Sequence, residues 1–534
     1  MCGIFAYLSI TKIDTDLKNK LIDELIKTKH RGPDNTKYRL ENEKTFLGFH
    51  RLCINDTSER GDQPITHPKN FNISLICNGE IYNYSKLKLE YNIVTDSNSD
   101  CEIILHLYEK FGFSKTISLL DGVFACVLVD LTKDTIYVAR DPLGVRSLFI
   151  GENTNGDIGF ASELKSIHEL CETIIQFKPG HIWDSKTKEY TKYYTRGLTN
   201  VVESEELIKT TIREKLGLAV EKRLMSDRKI GCLLSGGLDS SLIAAQLANL
   251  YEDKLETFSI GLEGATDLKF AKLVADHIGS NHHEVIVTER EMLNAIESTI
   301  KKTETYDTTT IRASVPMTLL SEYISKNSNA VVIYSGEGSD EASGSYLYFH
   351  NAPNELEFKK ETIRLLDDLC YFDVLRCDKS TASAGLEVRV PFLDKEFLEY
   401  YMSIDPKYKL ASHNGIEKWL LRSAFDDGKL LPDSVLWRVK EAMSDGVSSQ
   451  KKGWFEIIQE NVAEMYTDDE FIKRQQTYKW NPPMFKEALY YREIFNKYYP
   501  EREKTIPYYW LPKWSGDVVD PSARVLTNVY KNDE

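Results

Sequence analysis

A cysteine directly follows the first methionine, at the start of the stretch MCGIFAYLS. If Met1 is removed, the α-amine of Cys2 becomes a base within reach of its own thiol. Such an amine titrates near pKa ~7.7–8.0, close enough to neutral pH to accept the thiol proton. This arrangement is typical of N-terminal nucleophiles, which form a covalent intermediate with a carbonyl carbon. Taken alone, Cys2 has a plainer explanation as a strand cysteine that happens to come second.

Three later segments carry groups that suit a nucleophile acting on an amino-acid amide. Arg51, in HRLCIND, could clamp an α-carboxylate with two hydrogen bonds, and Asp100, in SNSDCE, could pair with an α-ammonium. Asn78 and Gly79, in LICNGEIYNY, offer a side-chain amide and a backbone N–H, which together could make an oxyanion hole. Separately, these are more simply a surface arginine and a hairpin turn. As a set behind Cys2, they favour hydrolysis of glutamine.

A second motif, LLSGGLDSS (233–241), follows an apolar run and opens a helical pattern. Gly236 and Gly237 allow the backbone to approach a ligand closely. The free N–H groups of the helix start, with the hydroxyls of Ser235 and Ser240, suit a phosphate. The motif is not a Walker A loop, because no Gly-Lys-Ser/Thr follows. An ordinary strand-to-helix turn is the alternative.

The stretch YSGEGSDE (334–341) also follows an apolar run, and it places three carboxylates among glycines. Glu337, Asp340 and Glu341 are spaced closely enough to suit a metal ion or an amine. By itself the stretch is more simply a solvated acidic loop. Its presence beside the first glycine-rich motif favours a binding site.

The elements predicted around these motifs fall into two domains. Residues 1–190 combine short apolar strands with two helical patterns, which indicates a layered α+β domain. The polar stretch 184–207 is predicted to be a connector. Residues 205–534 alternate strands with helices, which indicates βαβ units, a parallel sheet and further helices.

Composition narrows the class of protein. The 534 residues include 82 acidic and 67 basic side chains, a net charge of −15, which argues against a nucleic acid or an anionic membrane as partner. No apolar run reaches the ~18 residues of a membrane span, and the first residues do not read as a signal peptide. The nine cysteines contain no CxxC pair, which favours reduced thiols, a cytoplasmic location and no zinc site.

Several stretches resemble the glutamine-hydrolysing asparagine synthetase family nearly word for word. They are MCGIFA, TDLKFAKLVADHIGSNHHEV (266–285), YDTTTIRASVPMTLLSEYI (306–324), YSGEGSDE (334–341), LRCDKSTASAGLEVRVPFLD (375–394) and WRVKEAMSDGV (437–447). SGGLDS itself resembles the pyrophosphate-binding loop of the N-type ATP pyrophosphatases. The resemblance implies an αββα-layered amidotransferase of the N-terminal nucleophile class, fused to an α/β ATP pyrophosphatase domain.

The resemblance also implies a reaction. ATP, bound with Mg²⁺, would activate the aspartate β-carboxylate as β-aspartyl-AMP and release pyrophosphate. Ammonia, freed from glutamine through a thioester at Cys2, would reach the second site by an internal tunnel and displace AMP. The partners are then small molecules, with glutamine, aspartate and ATP as substrates, and a homodimer is a family expectation.

The family's functional positions can be carried over one by one. The glutamine-binding positions are Arg51, Leu52, Cys53, Ile54, Asn55, Asn78, Gly79, Glu80 and Asp100. The ATP-binding positions are Leu233, Ser235, Gly236, Gly237, Asp239, Ser240, Ile260, Ser335 and Gly336. Asp239 and Asp340 are the expected magnesium ligands, and the expected catalytic residues are Cys2, Asn78, Gly79, Glu337 and Lys440.

Other readings of the sequence remain open at this point. A β-lactam synthetase shares the second domain but lacks the N-terminal nucleophile, so Cys2 argues against it. Other glutamine amidotransferases share MCGI but carry different second domains, and SGGLDSS excludes most of them. A catalytically inactive amino-acid sensor would need broken motifs, and none of the main motifs is broken.

Overall fold

The computed structural model describes residues 1–197, 200–441, 443–449 and 451–522. The chain divides into two units, each of which gathers segments that are distant in sequence. The first unit contains Met1–Arg196, Met225–Lys229 and Thr381–Glu387. The second contains Gly197–Leu224, Ile230–Ser380 and the described residues from Val388 onward.

The first unit contains two antiparallel sheets and four α-helices. Its strands are β1 Gly3–Leu8, β2 Asn35–Glu41, β3 Thr45–Arg51, β4 Ile65–Thr66, β5 Ile73–Ile81, β6 Gly122–Asp130, β7 Thr135–Arg140, β8 Phe149–Glu152, β9 Ile158–Ala161, β10 Thr173–Gln176, β11 His181–Asp184 and β12 Glu189–Lys192. Its helices are α1 Thr15–Ile26, α2 Tyr84–Tyr91, α3 Ile103–Phe111 and α4 Phe113–Leu119. The strand orders are β10-β8-β9-β1-β3-β2 and β12-β11-β7-β6-β5-β4.

Alternating side chains along β5 explain how the layers pack. Ile76 belongs to the core between the two sheets, together with Ile4 on β1. Its neighbours in sequence, Leu75 and Cys77, point to the opposite face and pack with helix residues such as Leu107. Helix α1 covers β3 on the outside of the other sheet. The predicted αββα layering is therefore confirmed.

One local prediction differs from the structure. The polar stretch 184–207 includes strand β12, which pairs antiparallel with β11. Because β12 lies at the edge of its sheet and is largely exposed, it lacks the apolar pattern that would have revealed it. Helices α3 and α4 are separated by Gly112, whose φ of +75° interrupts the helix.

The second unit is built on a five-stranded sheet. The strands are β13 Lys229–Leu233, β14 Glu256–Leu262, β15 Asn281–Val287, β16 Ala330–Tyr334 and β17 Glu387–Arg389, in the order β15-β14-β13-β16-β17. Strand β14 runs parallel to both β13 and β15. This confirms the predicted parallel sheet. The short strand β17 was not predicted, because three residues show no periodicity.

Helices surround this sheet and continue beyond it. They are α5 Glu205–Glu221, α6 Leu238–Leu250, α7 Thr266–Ile278, α8 Glu289–Thr303, α9 Thr308–Asn327, α10 Ser339–Ser343, α11 Glu355–Asp368, α12 Asp373–Ala382, α13 Lys395–Ser403, α14 Ala411–Asn414, α15 Trp419–Ala424, α16 Asp433–Leu436, α17 Met443–Gly446, α18 Trp454–Ala463, α19 Asp468–Gln475 and α20 Lys486–Tyr498. Among the described residues, no helix is both long and apolar enough to cross a membrane.

Arg312 links the last described residues to helices α9 and α20. Arg312 on α9 donates two hydrogen bonds to Glu487 on α20, at 2.8 and 2.6 Å. It donates two more to Asp520, at 2.8 and 2.9 Å. The guanidinium is almost fully buried, so removing either carboxylate would leave charge poorly compensated. This network fixes the C-terminal segment against α9.

Candidate active sites

The thiol of Cys2 lies at the start of β1, beside the backbone of Leu52. The N–H of Leu52 donates to Sγ at 3.4 Å, and the thiol donates to the Leu52 carbonyl at 3.6 Å. Burial raises the pKa of Cys2 to about 12. The thiol therefore needs an adjacent base to become a nucleophile near neutral pH.

Met1 is present in this structure, so the nitrogen of Cys2 is an amide rather than an amine. The amine of Met1 is buried and donates to the carbonyl of Leu386 at 3.0 Å. Burial lowers its pKa to about 5. The thioether sulfur of Met1 contacts the guanidinium of Arg146. The base at Cys2 that the sequence predicts would exist only after Met1 has been removed.

Arg31, in the stretch RGPD (31–34), holds the backbone of Cys2. Its Nε donates to the carbonyl of Cys2 at 2.9 Å, while Nη1 forms an ion pair with Glu163 at 2.9 Å. Both side chains of the ion pair are fully buried. The sequence analysis did not identify Arg31, because its two partners are distant in the chain.

Asn78 and Gly79 lie within β5, not in a hairpin turn. Asn78 is 1% exposed, and its Nδ2 has no hydrogen-bond partner among the described residues. A buried amide without a partner is costly, so this donor is available for an oxygen of a ligand. At Gly79 a Cβ atom would lie 2.2 Å from the carbonyl oxygen of Val123 on β6, so only glycine fits.

Asp100, Glu80 and Asn55 form a connected polar group. The carboxylate of Asp100 accepts from the N–H of Ile81 at 2.6 Å and from Nδ2 of Asn55 at 3.4 Å. The same amide donates to Glu80 at 2.6 Å. Burial raises the pKa of Asp100 to about 6, despite these hydrogen bonds. A buried carboxylate of this kind favours a cationic ligand.

Arg51 stands at the end of β3 and contacts the loop that follows. Nη1 donates to Asp62 at 2.7 Å and to the carbonyl of Ser58 at 2.6 Å, and Nη2 donates to the carbonyl of Asp56. The predicted neighbours Leu52 and Ile54 are buried, whereas Cys53 is half-buried.

A cavity of about 210 Å³ in the second unit gathers most of the residues predicted for ATP. Its walls include Leu233, Ser235, Gly237, Asp239, Ser240, Ile260, Ser335, Gly336, Glu337, Asp340 and Lys440. Gly236 does not line it; instead its carbonyl accepts a hydrogen bond from Arg438 at 3.1 Å. The two glycine-rich motifs of the sequence therefore meet at one place.

Two glycines allow the backbone around this cavity to pack closely. Gly236 has a φ of +74°, and a Cβ atom there would lie 2.3 Å from the backbone nitrogen of Ala271 on α7. At Gly336 a Cβ atom would lie 2.8 Å from the backbone nitrogen of Ser240. A larger residue at Gly336 would push the two loops apart, and one at Gly236 would push its loop away from α7, because backbone atoms cannot give way.

Charged side chains in the cavity are paired across the two loops. Nζ of Lys418 lies 2.5 Å from both Asp239 and Asp340, and Nζ of Lys440 lies 2.6 Å from Asp340. Burial alone would raise the pKa of Asp340, but the two ammonium groups outweigh it and hold this pKa far below its usual value. Asp340 is therefore ionised at all working pH values.

The neighbouring wall of the cavity carries a second charge group. Nη2 of Arg376 donates to Glu337 and to Asp373, each at 2.9 Å. Burial raises the pKa of Glu337, and the charge of Asp373 adds to this while Arg376 opposes it. Burial likewise raises the pKa of Glu341, whose carboxylate accepts from Tyr346. These carboxyl groups are suited to proton exchange.

Two carboxylates of this cavity suit a divalent cation. Asp239 and Asp340 approach one point, since a single ammonium lies 2.5 Å from both. Within the described residues no three His, Cys, Asp or Glu side chains form a metal cluster. Mg²⁺ in nucleotide sites usually takes one or two carboxylates, with phosphate oxygens and waters as further ligands. The pair fits that pattern.

Sequence analysis missed four cationic residues that line this cavity, namely Arg376, Lys418, Arg422 and Arg438. Arg376 and Arg438 lie in stretches that resemble the family, so those motifs could have found them. Lys418 lies between the stretches that carried the resemblance. No sequence signal marks it, and only the fold brings it to Asp239.

Two features of the fold define the class of protein. One is the pair of facing antiparallel sheets with a cysteine directly before the first strand, and the other is the glycine-rich loop, of a type that suits phosphate, on a parallel sheet. Together they define an amidotransferase joined to an ATP-dependent synthetase. Comparison with known families agrees. Residues 1–198 match the profile described as glutamine amidotransferase domain. Residues 211–366 and 351–521 match the profile described as asparagine synthase.

Relatives match the chain over its whole length. The asparagine synthetase (glutamine-hydrolyzing) of Gallus gallus is 44% identical over 567 aligned residues, which cover 100% of this chain and 99% of the relative. The enzyme of the same name from Homo sapiens is 43% identical with the same coverage. The chain belongs to the glutamine-hydrolysing asparagine synthetase family, which confirms the resemblance seen in the sequence.

The likeness to one solved structure is weaker. A glutamine phosphoribosylpyrophosphate amidotransferase from B. subtilis is 14% identical, with a TM-score of 0.32, covering 53% of this chain and 81% of that one. At this score the likeness has no bearing on function.

Proposed function

We propose that the two sites carry out the two halves of asparagine synthesis, with glutamine as the nitrogen donor and ATP as the energy source. The protein is a carbon–nitrogen ligase by family. Residues 1–190 would hydrolyse glutamine, and residues 205–534 would activate aspartate. The observation that carries the proposal is the cavity in which SGGLDSS and SGEGSDE meet, since its residue types suit a nucleotide and a carboxylate substrate.

In the glutaminase site, Cys2 acts as the nucleophile once Met1 has been removed. Its α-amine takes the thiol proton, the sulfur attacks the amide carbon, and the proton passes to the departing ammonia. Water then hydrolyses the thioester to glutamate and restores the thiol. Nδ2 of Asn78 and the N–H of Gly79 stabilise the oxyanion of both steps, and this role is supported by the lack of a partner for Nδ2 of Asn78 among the described residues.

Glutamine is held at its α-carbon by opposite charges. Arg51 binds the α-carboxylate and Asp100 binds the α-ammonium. Asn55 and Glu80 keep Asp100 in place through the hydrogen bonds described above. The backbone around Leu52, Cys53 and Ile54 completes the pocket.

In the synthetase site, Leu233 and Ile260 contact the nucleoside, and Gly336 brings Ser335 against the same cavity wall. Ser235, Gly237 and Ser240 bind phosphate through hydroxyl and N–H donors, while Gly236 shapes the loop. Lys440 neutralises charge on the pyrophosphate as the aspartate β-carboxylate attacks the α-phosphorus. Glu337 accepts a proton as ammonia attacks β-aspartyl-AMP and AMP leaves.

Asp239 and Asp340 would hold Mg²⁺, which neutralises phosphate charge and orients the leaving pyrophosphate. For this, Lys418 would exchange a carboxylate for a phosphate oxygen as its partner. We further propose a cytoplasmic location, supported by nine free cysteines, and a homodimer, supported by the family alone.

The proposal is tested by the products. Purified protein with aspartate, glutamine and Mg-ATP should give equal amounts of asparagine, AMP and pyrophosphate, with at least as much glutamate. ADP and phosphate would contradict it. An internally cyclised product would favour a β-lactam synthetase, and binding without turnover would favour a sensor.

A further inference from the structure

The carboxylate of Asp62 lies against the guanidinium that is proposed to bind glutamine. Nη1 of Arg51 is 2.7 Å from Oδ1 of Asp62, and each side chain is 6% exposed. Burial alone would raise the pKa of Asp62, but Lys37 and Arg51 hold it below its usual value, so this carboxylate is ionised at neutral pH. The substrate must therefore bind an arginine that already has an anionic partner.

The hydrogen bonds of Arg51 leave part of the guanidinium unused. Nη1 donates to Asp62 and to the carbonyl of Ser58, and Nη2 donates to the carbonyl of Asp56. These bonds use three of the five N–H donors of an arginine. Nε–H and one Nη2–H have no partner among the described residues. A carboxylate binds two adjacent donors of this kind bidentately.

A cavity of about 390 Å³ borders this pair. It is lined by Arg51 and Asp62 together with Asp34, Cys53, Glu59 and Arg228. Both members of the ion pair therefore border this cavity, whose lining does not include Cys2, Asn78 or Asp100.

Asp62 is itself fixed from the other side. Its Oδ2 accepts hydrogen bonds from Nδ2 of Asn35 at 2.7 Å and lies 2.8 Å from Nζ of Lys37. Asn35 lies on β2, which pairs with β3 opposite Arg51. The carboxylate of Asp62 thus links the end of the sheet to the guanidinium of Arg51. The direction in which Nε–H and the second Nη2–H point depends on this contact.

We propose that Asp62 is a positioning residue for glutamine hydrolysis, which holds Nη1 of Arg51 so that the Nε edge is presented to the α-carboxylate of glutamine. The inference rests on the proposed role of Arg51. Asp62 touches neither the thiol nor the scissile amide in this assignment. Its loss should therefore weaken glutamine binding and leave the chemical step intact.

The test is steady-state kinetics of full-length Asp62→Asn, with glutamine or ammonia as nitrogen donor. Losing a charge-assisted hydrogen bond should raise KM for glutamine about tenfold or more, with kcat within about twofold. Ammonia-dependent synthesis should stay unchanged, whereas the melting temperature should fall by a few degrees, because the buried guanidinium of Arg51 loses its anionic partner. Asp62→Glu, which keeps the charge, should restore part of the KM. Glu59→Gln is the matched control, since it removes a charge from the same loop and cavity.

The variant Arg51→Lys separates the proposed role of Arg51 from that of Asp62. If Arg51→Lys leaves KM for glutamine unchanged, the proposed role of Arg51 is wrong. If Arg51→Lys raises KM and Asp62→Asn does not, only the role of Asp62 is wrong. A lower KM in Asp62→Asn would mean that this carboxylate competes with the substrate. If Asp62→Asn fails to fold, Asp62→Glu decides: a KM between those of the wild type and Arg51→Lys, with normal ammonia-dependent synthesis, supports positioning, and a wild-type KM overturns it.

Discussion

The two sites prepare for their substrates in opposite ways. In the glutaminase site, the amide of Asn78 is buried with no hydrogen-bond partner among the described residues, and among them Arg51 keeps two unused donors. In the synthetase site, Lys418 and Lys440 are already bonded to Asp239 and Asp340. Under the proposed function, the first site supplies unused donors to glutamine, whereas the second exchanges internal ion pairs for phosphate and metal.

The difference follows from the ligands. The reacting group of glutamine is a neutral amide, so a few aimed donors suffice and an unpaired buried charge would only be costly. ATP brings several negative charges, which need concentrated cations. Without the nucleotide, those cations would repel one another, and the internal carboxylates prevent this.

The largest expected effect separates the two sites at the nucleophile. Cys2→Ala removes the sulfur that forms the thioester, so glutamine-dependent synthesis should fall by at least about a thousandfold. Ammonia-dependent synthesis should stay within about twofold, because the synthetase cavity is unchanged. Assays with each nitrogen donor measure both. Equal loss with both donors would show that the sites cannot be separated in this way.

The reverse separation is expected at Lys440. Lys440→Met should lower the rate of AMP formation by about a hundredfold or more, because the charge on the leaving pyrophosphate loses a cation. Glutamate release from glutamine should continue. Lys429→Met is the control, since this lysine is exposed. An unchanged AMP rate would remove Lys440 from the chemistry.

The oxyanion donor should affect the rate more than the binding. Asn78→Ala should lower kcat for glutamine hydrolysis by about a hundredfold, with KM changed by no more than about threefold. Single-turnover measurement of thioester formation would locate the loss. An increase in KM at constant kcat would instead assign Asn78 to substrate binding.

The smallest effect concerns pH. Burial raises the pKa of Asp100 to about 6, so its carboxylate gains a proton as the pH falls through that value. The kcat/KM for glutamine should then fall by about a further tenfold for each pH unit below 6, beyond the loss caused by protonation of the Cys2 α-amine, because the α-ammonium loses its partner. The kcat/KM of Asp100→Asn for glutamine should be low at every pH and should show no transition near pH 6. An identical profile in the variant would contradict the assignment.

Much of the fold was predictable because apolar periodicity reports burial directly. The strands β13, β14 and β16 are fully or almost fully buried, and each reads as an apolar run in the sequence. The exposed edge strand β12 and the three-residue β17 carry no such pattern. Their positions depend on pairing with strands that the local sequence does not encode.

The sites were predictable where the chemistry lies in a continuous motif. SGGLDSS predicts a binding loop, and Cys2 is a candidate nucleophile by its position. Lys418 and Arg31 contact residues far away in the chain, and Asp62 contacts Arg51 across the loop that follows β3, so these contacts appear only in three dimensions. The residues that position a motif are in this respect harder to predict than the motif itself.

One isotope experiment tests the central claim that the chain joins glutamine hydrolysis to carboxylate adenylation. The substrates are glutamine labelled with ¹⁵N in its amide and aspartate labelled with ¹⁸O in its β-carboxylate, with Mg-ATP. Mass spectrometry should find ¹⁵N in asparagine and one ¹⁸O in AMP. Labelled oxygen in inorganic phosphate instead of AMP, or asparagine without ¹⁵N, would contradict the account.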